Sequence, residues 1–209
     1  MKILGIIGAG DLGQQIAHYA IADSHYTQVV FFDDFTTSDK TNGHEVLGKV
    51  SAIKEAFAEQ RFDELIIAIG YKHLKVRKDL YQQFAGSIPF GKIVHSTAWV
   101  DYSATIEDGC VIYPRCSIDA KSTIKANTIL NIGCTIAHNT VIGSHSFLSP
   151  RVAVAGFTNV EEQCIIGINS TIIDNLNIKQ GTQIGAGAVV IKSIDNSGLY
   201  AGNPAKFIK

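Results

Sequence analysis

Residues 118–154 read IDAKSTIKANTILNIGCTIAHNTVIGSHSFLSPRVAV, and an aliphatic residue returns every six places, at Ile118, Ile124, Leu130, Ile136, Ile142, Leu148 and Val154. At the same step the series reaches back to Val100, Ile106 and Ile112 and forward through Val160, Ile166, Ile172, Ile178 and Ile184 to Val190. Ile, Leu and Val make up about a quarter of the chain, so sixteen aliphatic positions in a row have a chance probability on the order of 10⁻¹⁰ in a chosen register. The residue two places before each aliphatic one is nearly always small: Ala104, Cys110, Cys116, Ser122, Thr128, Cys134, Thr140 and so on to Thr182 and Ala188, with Val152 and Leu176 the larger ones. Side chains two apart on a strand share a face, so the small and the aliphatic residue of each repeat point inward together. The two places left over form a corner. Its second position favours positive φ and therefore Gly or Asn. Gly109, Asn127, Gly133, Asn139, Asn169, Asn175, Gly181 and Gly187 meet that demand at eight of fifteen corners. Strand and corner in alternation describe a parallel β-helix whose coils stack about 4.8 Å apart around an aliphatic column.

All four cysteines, Cys110, Cys116, Cys134 and Cys164, occupy the small inward position. Free cysteine packs as a small hydrophobe, so their even number carries no disulfide meaning and they are expected to be core residues.

Upstream of the repeat the pattern changes to alternating strand and helix. KILGIIGAG is a buried strand running into Gly8, Gly10 and Gly13, and DLGQQIAHYAIA follows with helical periodicity. TQVVFFDD is a second strand ending in Asp33 and Asp34, DELIIAIG a third ending at Gly70, and LKVRKDLYQQFA a second helix. Such units build a parallel sheet that binds ligands at the carboxyl ends of its strands. The Gly-x-Gly-x-x-Gly follows a strand, opens a helix and precedes an acid at Asp33, a context in which backbone N–H groups approach a phosphate and a carboxylate meets a ribose or base. Two domains are expected, residues 1–92 and 93–209.

Composition limits the partners. The chain has 209 residues, 18 Lys and Arg against 19 Asp and Glu, and 46% hydrophobic residues, which excludes a disordered or coiled-coil protein and the basic footprint of a nucleic-acid binder. No apolar run of about 18 residues is present, so neither membrane nor nucleic acid is an expected partner. Lys2 and Ile3 to Ala9 superficially suggest a secretory leader, but Asp11 interrupts the run and the strand reading is preferred, with a cytoplasmic location.

The hexads resemble those of the hexapeptide-repeat acyltransferases, which implies a left-handed β-helix with three hexads per coil. A short doubly wound domain ahead of the hexads is similar to one subgroup, the sialic-acid O-acetyltransferase-like sugar acyltransferases. That subgroup includes the bacillosamine-pathway enzymes that acetylate nucleotide-linked 4-amino-4,6-dideoxy sugars. The matching stretches are GIIGAGDLGQQIA, VVFFDD, IIAIGYKHLKVR, VHSTAWVD, CTIAHNTVIG, FLSPRVAVAG, IGINSTIIDN, IGAGAVVIKS and YAGNPAK.

The resemblance implies acetyl-CoA as acyl donor, no metal, a homotrimer with sites between adjacent prisms, and His138 as general base. His138 lies two residues beyond inward Ile136, on a corner and facing outward, and one coil of 18 residues places Gly156 beside it as a candidate oxyanion donor. An acid follows the histidine in the bacillosamine-type enzymes, whereas Asn139 stands here, at a corner where Asn has its own backbone reason to occur. His145 also projects from a corner, one hexad further on. The acyl-CoA is expected against Gly156, Gly167, Gly185 and Gly187, with Lys192 and Lys206 toward its phosphates. The nucleotide sugar is expected at Gly8, Gly10, Gly13, Asp33, Asp34, Gly70, Tyr71 and Lys72. Two function classes remain: an acetyltransferase acting on the amine of a nucleotide-linked amino sugar, with O-acetylation of a sialic-acid-like sugar as its variant, and a non-catalytic nucleotide-binding scaffold trimer.

Overall fold

The computed structural model describes residues 2–209, which separate into two compact units divided between Ile93 and Val94. In the first unit β1 (Ile3–Ile7), β2 (Gln28–Phe32), β3 (Lys40–Thr41), β4 (His44–Gly48) and β5 (Glu64–Ile67) form one sheet in the order β3-β4-β2-β1-β5. β1 pairs in parallel with both β2 and β5, and β2 with β4. The helices are α1 (Asp11–Ala22), α2 (Ile53–Ala58) and α3 (Leu74–Phe84), and α1 buries Gly13, Ile16, Ala17 and Ala20, the face expected from its periodicity.

The sequence reading passes over the β3–β4 hairpin and α2. The hairpin turn is Asn42-Gly43, with φ of 48° and 82°, the pair that a tight hairpin favours, so a signal was present but flanked by strands too short and polar to announce themselves. Arg77 of α3 is fully buried and donates from Nη1 to the carbonyls of Ile67 and Ile69 at 2.8 and 3.0 Å, fixing the chain as it leaves β5.

The second unit is a left-handed parallel β-helix, the hand implied by the resemblance and opposite to that of ordinary parallel crossovers. Two-residue strands pair in register with those 18 residues away: Ile118 with Ile136, Ile136 with Val154, Val154 with Ile172 and Ile172 with Val190 on one face. A second face stacks Ile106, Ile124, Ile142, Val160 and Ile178. The third stacks Ile112, Leu130, Leu148, Ile166 and Ile184 and is closed by the C-terminal pair Leu199–Ala201 and Lys206–Phe207. Ile118, Ile136, Ile142, Ile166 and Ile172 are fully buried, and truncating such a side chain to Ala costs about 2–5 kcal/mol.

The corners are more uniform than their sequence. Every sixth residue from Gly109 to Gly187 has positive φ, including Arg115, Lys121, His145, Arg151, Phe157 and Gln163. Coil geometry therefore imposes the left-handed conformation on residues that resist it, at about 1–2 kcal/mol each. The small inward position also carries a polar demand. Ser122, Thr128, Thr140 and Thr158 donate their hydroxyls to the carbonyls of Ala137, Gly143, Ala155 and Ile173, fifteen residues on, at 2.8–3.1 Å. Cys110, Cys116 and Cys134 direct their thiols to the corresponding carbonyls of Lys125, Asn131 and Ser149 at 3.1–3.2 Å. These corner carbonyls lie outside the backbone ladder, which explains why Ser, Thr and Cys alternate at this position: each is small and each carries a donor. All four cysteines are free and buried. Donation of its S–H to the neighbouring Cys116 sulfur and burial both push the Cys134 thiol up, and burial pushes Cys164 up to about 12.

Candidate active site

His138 occupies the first corner position after Ile136, where the chain leaves one face of the prism and the side chain is exposed. Phe157 N–H donates to the His138 carbonyl at 3.1 Å and Asn175 N–H to the Gly156 carbonyl at 3.0 Å, so the corners stack at 18 residues without insertion. Gly156 is buried against the imidazole: a Cβ there would lie 2.7 Å from His138 Cε1 and 2.9 Å from Nε2. No positive φ is needed at Gly156, so its lack of a side chain answers the ring beside it.

Asn139 Oδ1 lies 3.2 Å from His138 Nδ1. An amide oxygen accepts, so this contact places the ring proton on Nδ1 and leaves the Nε2 lone pair free to take a proton. The phenyl ring of Phe157 meets the imidazole nearly perpendicularly, at a centroid distance of 5.1 Å and 83°. His138, Asn139 and Gly156 thus form one cluster, joined by Phe157, which the sequence reading passes over although an aromatic at a Gly- and Asn-favouring corner is itself a signal.

His145 departs from expectation. It is only 6% exposed, and its Nδ1 lies 3.0 Å from the Asn127 amide nitrogen one coil below, so it serves the wall of the prism instead of projecting to a ligand.

Of the glycines expected along the acyl-CoA, Gly156 shares the corner of His138, whereas Gly167, Gly185 and Gly187 lie elsewhere on the prism. A Cβ on Gly167 would meet the backbone of Ile184 to Ala186 at 2.6–2.7 Å, and one on Gly185 would meet Ala201 Cβ at 2.9 Å, so close coil packing already accounts for both. Gly187 has φ +66° and nothing within 4 Å of a Cβ. Lys192 belongs to the column His138, Gly156, Asp174, Lys192, three coils or about 14 Å above the imidazole by register. Together with Lys206, Ile191, Tyr200 and Pro204 it lines a cleft of about 310 Å³.

In the first unit a second, largely apolar cleft of about 320 Å³ opens at the carboxyl ends of β1, β2 and β5, lined by Gly8, Asp33, Asp34, Phe35, His73 and Val76 among others. Gly10, Gly13, Gly70, Tyr71 and Lys72 lie outside its lining. Asp33 accepts from the N–H of Ala9 at 2.7 Å on one oxygen and from those of Phe35 and Thr36 at 2.8 and 3.0 Å on the other. Burial opposes its charge, but these three N–H groups outweigh that and hold its carboxyl below the usual carboxylate range. Asp34 accepts from Val50 N–H at 2.9 Å. Both acids expected to face a ribose or base therefore first tie loops together.

The glycines divide similarly. A Cβ on Gly13 would lie 1.9 Å from the Gly8 carbonyl oxygen, and Gly8 has φ +103°, so both are required by the fold. Gly10 and Gly70 have ordinary negative φ and open space where a Cβ would be. Tyr71 and Lys72 sit exposed on the turn that follows Gly70.

Among the described residues no three His, Cys, Asp or Glu side chains gather as a metal site, and no helix is long and apolar enough to cross a membrane. The chain is thus a small α/β unit followed by a left-handed β-helix of hexapeptide repeats, with an exposed histidine on one of its corners. Residues 3–84 match the family model of the PglD N-terminal domain. The acetyltransferase domain of PglB from Neisseria gonorrhoeae is 28% identical, with TM-score 0.92 and 100% of both chains covered; the same domain in complex with acetyl coenzyme A gives 0.91 over 99% of each. A histidine-to-asparagine variant of perosamine N-acetyltransferase from Caulobacter crescentus, in complex with CoA and GDP-perosamine, is 26% identical, with TM-score 0.91 over 99% of this chain and 96% of that one. No curated protein sequence matches the chain. The resemblance to nucleotide-sugar acetyltransferases of the hexapeptide-repeat type is borne out, as is acetyl-CoA as the donor that such relatives bind.

Proposed function

We propose that this protein transfers the acetyl group of acetyl-CoA to the amine of a nucleotide-linked 4-amino-deoxy sugar, with His138 as general base. The observation that carries the reading is the cluster itself: an exposed imidazole with Asn139 Oδ1 at Nδ1 and Gly156 against the ring. A neutral amine becomes cationic as its lone pair adds to the thioester carbonyl, and the proton must leave. Nε2 of His138 accepts that proton as the C–N bond forms. As the C–S bond breaks, the same proton passes to the departing CoA thiolate, leaving an amide and a free thiol. The Gly156 N–H has no acceptor among the described residues and is the donor proposed for the carbonyl oxygen as it gains charge.

Acetyl-CoA runs up the corner from Gly156 past Asp174, so that its thioester meets His138 while Lys192 and Lys206 at the upper cleft face its phosphates. Gly187, open around its Cβ position, and the packed Gly167 and Gly185 flank this donor end from another corner. The nucleotide of the acceptor occupies the first unit. Gly10 and Gly70, glycine without a backbone or packing reason, admit its phosphates; Asp33 and Asp34 keep lone pairs for the ribose or base; Gly8 and Gly13 hold the loop, with Tyr71 and Lys72 beside it. Residues 1–92 are then the nucleotide-sugar domain and 93–209 the acyl-CoA and catalytic domain of a cytoplasmic homotrimer that supplies a glycan precursor.

Incubation with acetyl-CoA and a panel of GDP-perosamine and UDP- and dTDP-linked amino sugars, read by mass spectrometry, tests the reading. Gain of one hydroxylamine-stable acetyl group on an amino sugar is expected. A hydroxylamine-labile product assigns an O-acetyltransferase. Nucleotide-sugar binding without turnover of any acceptor assigns the scaffold.

A further inference from the structure

Phe157 is an aromatic residue in a place that disfavours it. Its φ is 56°, at a corner position that elsewhere takes Gly or Asn in eight cases. A core side chain could offset that strain by burial, but Phe157 remains 57% exposed. The strained, exposed ring stands beside the proposed base, perpendicular to the His138 imidazole at 5.1 Å, one residue after Gly156. The donor corner column continues upward from Gly156 to Asp174 and Lys192, whereas Phe157 lies on the column that follows it, with Asn139 below and Asn175 above. A nucleophile that reaches the imidazole therefore has the phenyl ring as a neighbour.

We infer that Phe157 is a specificity-determining residue: the exposed face of its ring packs against the C–H face and C6 methyl of a 6-deoxy amino sugar and so aims the amine at the thioester. This rests on the acetyltransferase reading above. The chemistry is that of an apolar contact. A deoxy sugar lacks the C6 hydroxyl through which hydrogen bonds would orient it, while its methyl and axial C–H groups suit the electron-rich face of an aromatic ring. Arg115, Lys121, Arg151 and Gln163 share the strained φ, so what singles out Phe157 is an exposed aromatic face beside the proposed base.

The test uses the full chain with whichever acceptor the wild type turns over, GDP-perosamine or a UDP-linked 4-amino-4,6-dideoxyhexose, and the matching 6-hydroxylated sugar. Phe157→Asn suits the corner backbone and removes the ring; Phe157→Tyr keeps it. Expected for Phe157→Asn is an acceptor KM raised about tenfold, the scale of one lost aromatic contact, with kcat within about twofold and KM for acetyl-CoA unchanged. Its preference for the 6-deoxy sugar should fall in proportion, its melting temperature should equal or exceed that of wild type, and Phe157→Tyr should retain the wild-type KM. An unchanged acceptor KM overturns the inference, as does a fall in kcat alone, which would make Phe157 a support for His138, or a rise in KM for acetyl-CoA, which would assign the ring to the donor. Absence of turnover by the wild type itself fails the acetyltransferase reading, and the inference with it.

Discussion

The two units place their glycines and acids by different rules. In the β-helix the position of a side chain follows from counting: 138 and 156 differ by one coil, and the imidazole lies against the glycine. In the α/β unit the same kind of reading finds the strands and the helix N-terminus but not the work of each loop residue. Asp33, read as a ligand for ribose, is held by Ala9, Phe35 and Thr36. Periodic structure converts sequence spacing into distance, whereas a loop satisfies its own backbone before it can meet a ligand. Substitutions at single residues press on that contrast.

The largest effect is expected at His138. His138→Ala should lower turnover about 10²–10⁴-fold, the usual scale for loss of a general base, with acetyl-CoA affinity and oligomeric state retained. Near-normal turnover, measured by thiol release from acetyl-CoA, would remove His138 from the mechanism.

Next comes Gly156→Val, for which we expect turnover lower by about 10²-fold, because any side chain there displaces the ring and obstructs the site of the carbonyl. Gly109→Val provides the contrast. Gly109 has φ +78° and lies far below on another corner, so the variant should lose stability but keep its turnover per folded molecule. Equal catalytic loss at both positions would break the register argument.

Within the α/β unit, Gly13→Ala and Gly10→Ala separate packing from binding. Gly13→Ala forces a Cβ to within 1.9 Å of the Gly8 oxygen and should destabilise the fold by about 1–3 kcal/mol in chemical denaturation. Gly10→Ala meets nothing, so stability should hold while affinity for the nucleotide sugar drops in calorimetry. A Gly10→Ala variant that binds normally would leave that glycine without a role in the acceptor site.

The clamp made by Asp33 predicts a pH dependence. Its folded carboxyl is held below the ordinary value of 3.8, so its stabilising contribution is present above that pH and is lost as the pH falls through the lower folded value. The stability difference between wild type and Asp33→Asn should therefore be constant near neutrality and shrink in acid. A difference that persists unchanged below about pH 3 would show that the charge is not what holds the loop.

How much was legible beforehand follows the same division. The aliphatic column, its register, the inward cysteines and the His138–Gly156 contact could all be counted from the sequence, because each coil repeats one local geometry. His145 could not, since whether a corner side chain reaches solvent depends on its neighbour in the stack, here Asn127. Nor could the donor role of the inward Ser, Thr and Cys, because the carbonyl they serve is fifteen residues away. Phe157 was visible as an exception in its column, but its contact with the imidazole needed coordinates.

The smallest effect, and the one that decides between backbone and chemistry at a single residue, is expected at Asn139. Its φ of 58° alone accounts for Asn, since that residue tolerates the left-handed region, and on this ground the side chain has no catalytic role. Yet its Oδ1 lies 3.2 Å from Nδ1 of His138, where it accepts from the tautomer with a free Nε2. Asn139→Gly keeps the backbone permitted and removes the acceptor; Asn139→Asp tolerates the same backbone and supplies a carboxylate that stabilises the imidazolium formed during attack. If the contact matters, kcat should fall roughly threefold to tenfold in Asn139→Gly, a modest effect because orientation and not the base itself is lost, and should equal or exceed wild type in Asn139→Asp. Unchanged kcat in both variants, with acceptor and donor KM also unchanged, would make Asn139 a corner residue and nothing more.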